Sequence, residues 1–160
     1  MRTWIKASIV TVLFGVPAFM LGPVIWPPAA HGPELSAAQL PFAIAIFAIE
    51  ALGFGLGISF LALGLPAVRR AADGTRARAW ATYLSIGWLL VSWWPHDNLH
   101  MHVGEDPQSL LFLTYGFHLT LLFSGLILAL SFLSTMRQQN LTHRGQEASN
   151  RGSLALGRVR

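Results

Sequence analysis

Four long apolar stretches alternate with polar connections that contain proline and glycine. The stretches cover about residues 4–26, 40–65, 79–94 and 109–133. A helix needs about 20 mainly apolar residues to cross about 30 Å of hydrocarbon. The third stretch is the shortest, but Trp80 and Trp94 lie near its two ends, where aromatic side chains mark membrane interfaces. The pattern predicts an all-α membrane protein, a bundle of four spanning helices within residues 1–136.

Composition agrees with a membrane protein and limits which side chains can bind a metal or take part in a reaction. Of the 160 residues, 53% are hydrophobic and 11% are charged, whereas a soluble domain carries about 25% charged residues. The mean hydropathy is +0.51. The chain contains no cysteine, which excludes disulfides, thiolate metal sites and cysteine nucleophiles. Any chemistry must come from histidine, carboxylate, methionine or hydroxyl side chains.

The positions of the basic residues predict the orientation. They precede the first stretch, fill the second connection and follow the fourth stretch, while the first and third connections contain none. By the positive-inside rule, both termini and the second connection lie in the cytoplasm. The net charge of +4 then belongs to a face that attracts anionic lipid headgroups, and not to a nucleic-acid site.

The two ends of the chain need separate interpretation. Arg2 and Lys6 before an apolar run also fit a signal peptide, but a proline at the −3 position disfavours cleavage. Residues 137–160 are polar, basic and without period, which predicts a disordered cytoplasmic tail. Ten arginines against one lysine indicate a GC-rich genome, and hence a bacterial inner membrane.

The densest group of ionisable residues covers positions 94–102, at the outward end of the third stretch. If Pro95 opens a helical turn, His96 and His100 lie one turn apart on one face, a spacing at which two imidazoles bind one metal ion. We expect a third ligand from His102 or Asp97. An orienting hydrogen bond to an imidazole would come from Asp97 or from a second carboxylate further on, Glu105.

These ligand types favour a transition metal. Imidazole, thioether and carboxylate groups suit Zn²⁺, Cu²⁺ or Fe²⁺ better than Mg²⁺ or Ca²⁺, and Met101 points weakly toward copper. The alternative is a turn-rich loop in which imidazoles and carboxylates bind each other, water or a partner. The sequence leaves both interpretations open.

Two ionisable residues lie inside apolar stretches. Glu50 and His118 are each about nine residues from the outward start of their stretch, roughly 14 Å deep. A charged carboxylate there costs at least about 2.5–3.5 kcal/mol, so we expect both to face the bundle interior and to pair. Thr114 and Tyr115 can support His118 from the preceding turn, and Ser92 can extend a polar track from His96. A single structural hydrogen bond remains the simpler reading.

Glycines on the second stretch predict helix packing. Gly53 and Gly57 share a face with Glu50, and this spacing lets a neighbouring helix approach closely. The run does not form a nucleotide site, because it lacks a preceding strand and a following lysine. We also expect no haem, because His118 lacks a predicted imidazole partner at matching depth.

The sequence therefore predicts a multi-pass protein of the cell membrane with an outward-facing transition-metal site above a buried Glu50–His118 pair. Two other functions remain open. The protein can be a non-catalytic subunit or assembly factor of a larger membrane complex, with the glycine face and tryptophans as contact surface. It can also be a small proton-coupled transporter in which Glu50 titrates. Whether it is an enzyme or a homo-oligomer does not follow from the sequence.

Overall fold

The computed structural model describes residues 2–30, 35–72 and 75–137, so most of the predicted tail lies outside the described residues. The described part is helical and contains no strand. Its six helices are α1 Thr3–Ile25, α2 Leu40–Leu63, α3 Leu65–Ala71, α4 Arg76–Val91, α5 Trp93–Val103 and α6 Pro107–Arg137. A π-helical segment, Thr114–Leu119, interrupts α6.

Three of these helices are long and apolar enough to cross a membrane. They are α1, α2 and α6, with 23, 24 and 31 residues and mean hydropathies of 2.1, 2.1 and 2.0 in their most apolar windows. Hydrocarbon solvates neither N–H nor C=O, so long helices that satisfy their own backbone are the expected form. The prediction of an all-α protein is confirmed for the described residues, and three of the four predicted spans correspond to helices that are long and apolar enough to cross a membrane.

The third predicted span is not one long helix. The 16 residues of α4 rise about 24 Å, which is less than the hydrocarbon thickness of about 30 Å. The helix breaks at Ser92 and α5 starts directly after it, with Pro95 in its first turn. Proline has no N–H to donate to the preceding turn, so it is tolerated at a helix start and disfavours an uninterrupted helix.

Helices α1 and α2 pack through small residues. A Cβ atom placed on Gly55 would collide with the carbonyl oxygen of Thr11 and lie 2.8 Å from the backbone nitrogen of Gly15. A Cβ atom on Gly15 would lie 3.0 Å from the carbonyl oxygen of Ala51, which is fully buried. The two backbones therefore touch, as is typical of helix pairs that associate in lipid by close packing.

The opposite face of α2 packs on α4. A Cβ atom on Gly57 would lie 2.6 Å from a methyl group of Val91, whereas one on Gly53 would meet only the carbonyl oxygen of Leu90, at 3.9 Å. Gly57 is thus in close contact with α4, whereas a methyl group at Gly53 would fit without displacing a neighbour. The tightest glycine contact of α2, at Gly55, lies on the face that the sequence did not single out.

An aromatic cluster fixes α5 against α1 and α2. The buried Trp94 ring lies 5.0 Å from the ring of Trp26 and 4.7 Å from the ring of Phe54, measured between centroids. Two residues along a helix correspond to a rotation of about 200°. His96 therefore projects from α5 away from this cluster, toward Phe117 and His118 of α6.

Helix α6 contacts α4 through polar groups and through an aromatic pair, Trp88 and Phe117, whose rings stack 5.9 Å apart. The indole Nε1 of Trp88 donates to the hydroxyl oxygen of Thr120 over 3.0 Å. Further along, the hydroxyl groups of Thr82 and Ser131 are 2.8 Å apart. Most large apolar side chains of α6 are exposed to the surroundings of the bundle.

Candidate metal centre

Three histidines from α5 and α6 meet where the start of α5 packs against the π-helical segment of α6. One ring nitrogen from each of His96, His100 and His118 lies within 4.8 Å of the others. The Nε2 atoms of His96 and His118 are 3.0 Å apart, and the ring centroids of His96 and His100 are 4.6 Å apart. This group of imidazoles can hold a metal ion.

Helix geometry explains two of the three positions. His96 and His100 lie one turn apart in α5, as the sequence predicts once Pro95 is placed in the first turn of a helix. His96 is 7% exposed, so its ring is sequestered between the helices, and His100 is half-buried. The i, i+4 spacing therefore brings both rings to the side of α5 that faces His118.

The π-helical segment presents the third histidine. His118 lies within Thr114–Leu119, where the wider turn shifts the side chains relative to a regular helix. The Thr120 hydroxyl is 2.6 Å from the carbonyl oxygen of Gly116 and 3.0 Å from that of Phe117, so it satisfies carbonyls at the distortion. Such π-bulges occur frequently at functional sites.

Asp97 determines which nitrogen of His96 is free. Its Oδ1 atom is 2.8 Å from Nδ1 of His96. An ionised carboxylate only accepts hydrogen bonds, so Nδ1 carries the proton and Nε2 carries a lone pair. That lone pair points at Nε2 of His118. A carboxylate that orients an imidazole in this way is the usual second neighbour of a metal-binding histidine.

The distances suit a shared cation after a small adjustment. Two nitrogens bound to one tetrahedral Zn²⁺ at about 2.0–2.1 Å are about 3.3–3.4 Å apart. The His96–His118 nitrogens, at 3.0 Å, are slightly closer than this, and His100 completes the group within 4.8 Å. Binding one tetrahedral ion would need the His96–His118 nitrogens to separate by a few tenths of an ångström, and any pair at the 4.8 Å limit to close by about 1.5 Å.

A pair of carboxyl groups adjoins the histidines. The carboxyl groups of Glu50, from α2, and Asp97, from α5, lie close enough to influence each other electrostatically. The Oε2 atom of Glu50 is buried without a hydrogen-bond partner, and so is the hydroxyl oxygen of Ser92. Two adjacent carboxylates repel unless a proton or cation neutralises them, and an unpartnered buried oxygen costs free energy. These unsatisfied groups fit a site that takes up a cation.

The structure does not bring every predicted ligand to this place. The Nδ1 atom of His102 lies 2.8 Å from the carbonyl oxygen of Pro27, away from the other imidazoles. Two residues along a continuous helix turn the side chain by about 200°, so His102 cannot share a face with His100. Glu105 is exposed, and in the described part of the chain no hydrogen bond joins it to an imidazole.

The expected Glu50–His118 pair takes a different form. Glu50 lies near Asp97, and His118 contacts His96, so the two residues join one cluster through different partners. Glu50 is half-buried, and His118 is exposed on the surface of the bundle. The premise that His118 lacks an imidazole partner is wrong, because the π-helical segment brings it to α5. Thr114 donates to the carbonyl oxygen of Leu110, and the Tyr115 side chain is exposed, so neither is recorded as a partner of His118.

Comparison of the chain with protein-family models, curated proteins and solved structures finds no match. The function is therefore inferred from the site itself. The site offers three imidazole nitrogens and two carboxyl groups from three helices. This donor set suits a transition metal such as Zn²⁺, Cu²⁺ or Fe²⁺.

Proposed function

We propose that this protein binds one transition-metal ion within the membrane through His96, His100 and His118. Asp97 orients the His96 ring. Glu50, on α2, offsets the positive charge of the metal ion. The observation that carries the proposal is the convergence of three ring nitrogens from two helices within 4.8 Å, next to a buried carboxyl oxygen without a partner. Buried polar groups in native proteins are normally paired, so this arrangement favours a ligand at the centre.

The same cluster supports an outward-facing site. We infer that α4 and α5 cross the bilayer together as one broken span, which gives four crossings. An even number of crossings brings Arg2, Arg137 and the basic residues of the second connection to one side, as the positive-inside rule requires. The site then opens toward the outer face of a bacterial cytoplasmic membrane.

The number of protein ligands favours a site that exchanges or uses its metal ion over a site in which the ion only holds two helices together. Closed structural zinc sites have four protein ligands, whereas three imidazoles leave a coordination position open for an exchangeable ligand. An open position suits metal capture, metal sensing or metal-assisted chemistry. In each case Asp97 holds the His96 ring in place, and the pair of carboxyl groups can carry a proton.

The metal content of the purified protein tests the proposal. We expect about one ion per chain after incubation with Zn²⁺ and removal of the excess, and loss of that ion in His118→Ala. His102→Ala is the matched control, since it removes the same side chain from the same region and should retain the ion. Metal-free wild-type protein, or loss in His102→Ala with retention in His118→Ala, would overturn the assignment.

A second candidate function is suggested by the exposure of α6. Its large apolar side chains are largely uncovered by the rest of the chain, which is compatible with a protein partner as well as with lipid. A subunit or assembly factor of a larger membrane complex would use this face. Metal-free protein that purifies with a fixed partner would favour this reading.

A further inference from the structure

A cavity of about 300 Å³ lies between α3, α4 and α6, far from the metal centre. Arg78, at its polar end, is 18 residues before His96, about 27 Å along the two helices. The residues that matter for its chemistry come from α4 and α6 and are Arg78, Thr82, Ile86, Leu128, Ser131 and Thr135. The metal centre makes no use of them.

The lining of this cavity changes from charged to apolar along the helices. Arg78 meets Thr135 at one level, and Thr82 meets Ser131 one turn further along. Another turn along α4 brings Ile86, which lines the cavity with Leu128 from α6. The α4 and α6 residues named above are therefore charged at one end of the cavity, hydroxyl-bearing in the middle and apolar at the other end, while Val68, Ala71, Ala72 and Phe132 add further apolar lining.

Arg78 has hydrogen-bonding capacity to spare. Its Nη2 atom donates to the Ser131 carbonyl oxygen over 2.8 Å and to the Thr135 hydroxyl oxygen over 3.3 Å. A guanidinium group carries five N–H bonds, so three have no recorded acceptor. In the described residues the one ion pair is that of His96 with Asp97, so Arg78 has no carboxylate partner there.

Two more arginines lie on α3 but outside the lining of the cavity. Arg69 and Arg70 lie in the last turn of α3, and the guanidinium of Arg69 lies 5.7 Å from the ring centre of Trp80. Basic pockets between membrane helices on the cytoplasmic side are suited to anionic headgroups. The N–H groups on Nε and Nη1 of Arg78 can each donate a charge-assisted hydrogen bond to a phosphate oxygen.

We propose that this cavity binds an anionic phospholipid, with its phosphodiester on Arg78 and Thr135 and an acyl chain along Ile86 and Leu128. The charged-to-apolar order of the lining matches the order of groups in a phospholipid. The site is independent of the proposed metal centre, because no residue is shared between them.

Lipid retention by the full-length protein in detergent tests the proposal. Short-chain phosphatidylglycerol is titrated against phosphatidylcholine with the same chains, and bound lipid is counted by native mass spectrometry. We expect one phosphatidylglycerol to bind at least about tenfold more tightly, because phosphatidylcholine offers the same phosphodiester but adds a quaternary ammonium group that the Arg78 guanidinium repels. Arg78→Gln should lose this preference, while Arg70→Gln, an exposed arginine outside the cavity, should change affinity less than about threefold.

A second variant keeps the charge and fills the apolar end. Ile86→Trp should weaken phosphatidylglycerol binding as Arg78→Gln does, while its zinc content and monodispersity remain those of the wild type. Equal losses in Arg70→Gln and Arg78→Gln would show diffuse surface attraction and overturn the proposal. Unchanged binding in Ile86→Trp, or full displacement by millimolar inorganic phosphate, would also overturn it in favour of a phosphate-only site.

Discussion

The two sides of the bundle are held together by different means. Helices α1 and α2 touch backbone to backbone at Gly15 and Gly55, with no side-chain hydrogen bond recorded between them in the described residues. Helix α6 joins α4 and α5 through hydrogen bonds and the histidine cluster, and most of its apolar surface remains uncovered. The α1–α2 interface depends on close packing of two backbones. The α6 interface includes several hydrogen bonds between side chains.

This difference between the interfaces indicates that α6 is the helix whose packing can respond to a bound ligand. A close-packed interface between small residues has one good arrangement, because any change of distance loses contacts on both backbones. An interface made of a few polar contacts responds to whatever neutralises or binds those groups. The proposed metal and lipid sites both lie at the α6 interface, so their ligands are expected to control how firmly α6 is held.

The largest effect should come from adding one methyl group to the α1–α2 interface. In Gly55→Ala the new Cβ meets backbone atoms of Thr11 and Gly15, which no side-chain rotation can relieve. We expect a loss of about 3 kcal/mol in the free energy of unfolding, at the upper end for overpacking. Titration with sodium dodecyl sulfate, followed by far-ultraviolet circular dichroism, measures it.

Gly53→Ala is the control for this prediction. The substitution is identical and lies two residues away on α2, but the nearest atom to the new methyl group is 3.9 Å distant. Alanine also has the higher helix propensity, so we expect no loss and up to about 1 kcal/mol of gain. Similar destabilisation by both variants would show that the α1–α2 interface is not held by close packing.

A bound metal ion should stabilise the protein through the α6 interface. Zinc at about 100 times its dissociation constant should raise the free energy of unfolding by about 2.7 kcal/mol, because the folded state alone holds the three nitrogens together. His118→Ala should abolish this gain, and His102→Ala should keep it. Thermal unfolding with and without zinc provides the measurement.

If zinc still raised the free energy of unfolding of His118→Ala, the ion would bind elsewhere. The metal would then not distinguish the α6 interface from the α1–α2 interface. Since His118 is the sole α6 residue among the three imidazoles, its loss also tests whether the ion joins two helices. Protection of α6 from proteolysis by zinc, in the wild type alone, would sharpen that conclusion.

The contrast between the interfaces also explains what the sequence predicts well. Long apolar runs require helices in lipid, so the positions of α1, α2 and α6 follow from hydropathy alone. The His96–His100 spacing needs only the helical period, and α5 supplies it. Properties that repeat along one chain segment are therefore accessible to sequence reasoning.

Properties that depend on the rotation of one helix against another are not accessible in the same way. Glycines lie on two faces of α2, and the sequence does not show that Gly55 meets α1. The π-helical segment, which has no distinctive sequence pattern here, decides that His118 joins the cluster. His102 is the exception: the helical period of α5 alone excludes it, once the helix is known to continue past His100.

Single hydrogen bonds between α4 and α6 should have smaller effects. Thr120→Val removes the acceptor of the Trp88 indole, and we expect a loss of about 0.6 kcal/mol, the average for such bonds in membrane proteins. Thr114→Val is the matched control, because that hydroxyl donates only to its own helix, at Leu110. Unfolding in detergent, monitored by tryptophan fluorescence, compares them; equal losses would mean that the indole contact contributes nothing.

The smallest effect should come from the exposed start of α6. The Asp106 carboxylate accepts hydrogen bonds from the side chain and backbone of Ser109, which hold its pKa below the usual 3.8. Because the folded-state pKa is the lower one, the stabilisation is complete above about pH 4 and is lost as the pH falls through the folded value. Asp106→Asn keeps a capping oxygen but no longer titrates. Unfolding of both proteins at pH 7 and pH 3 should show a slightly smaller acid loss in the variant, and an identical loss would indicate that Asp106 does not hold the start of α6.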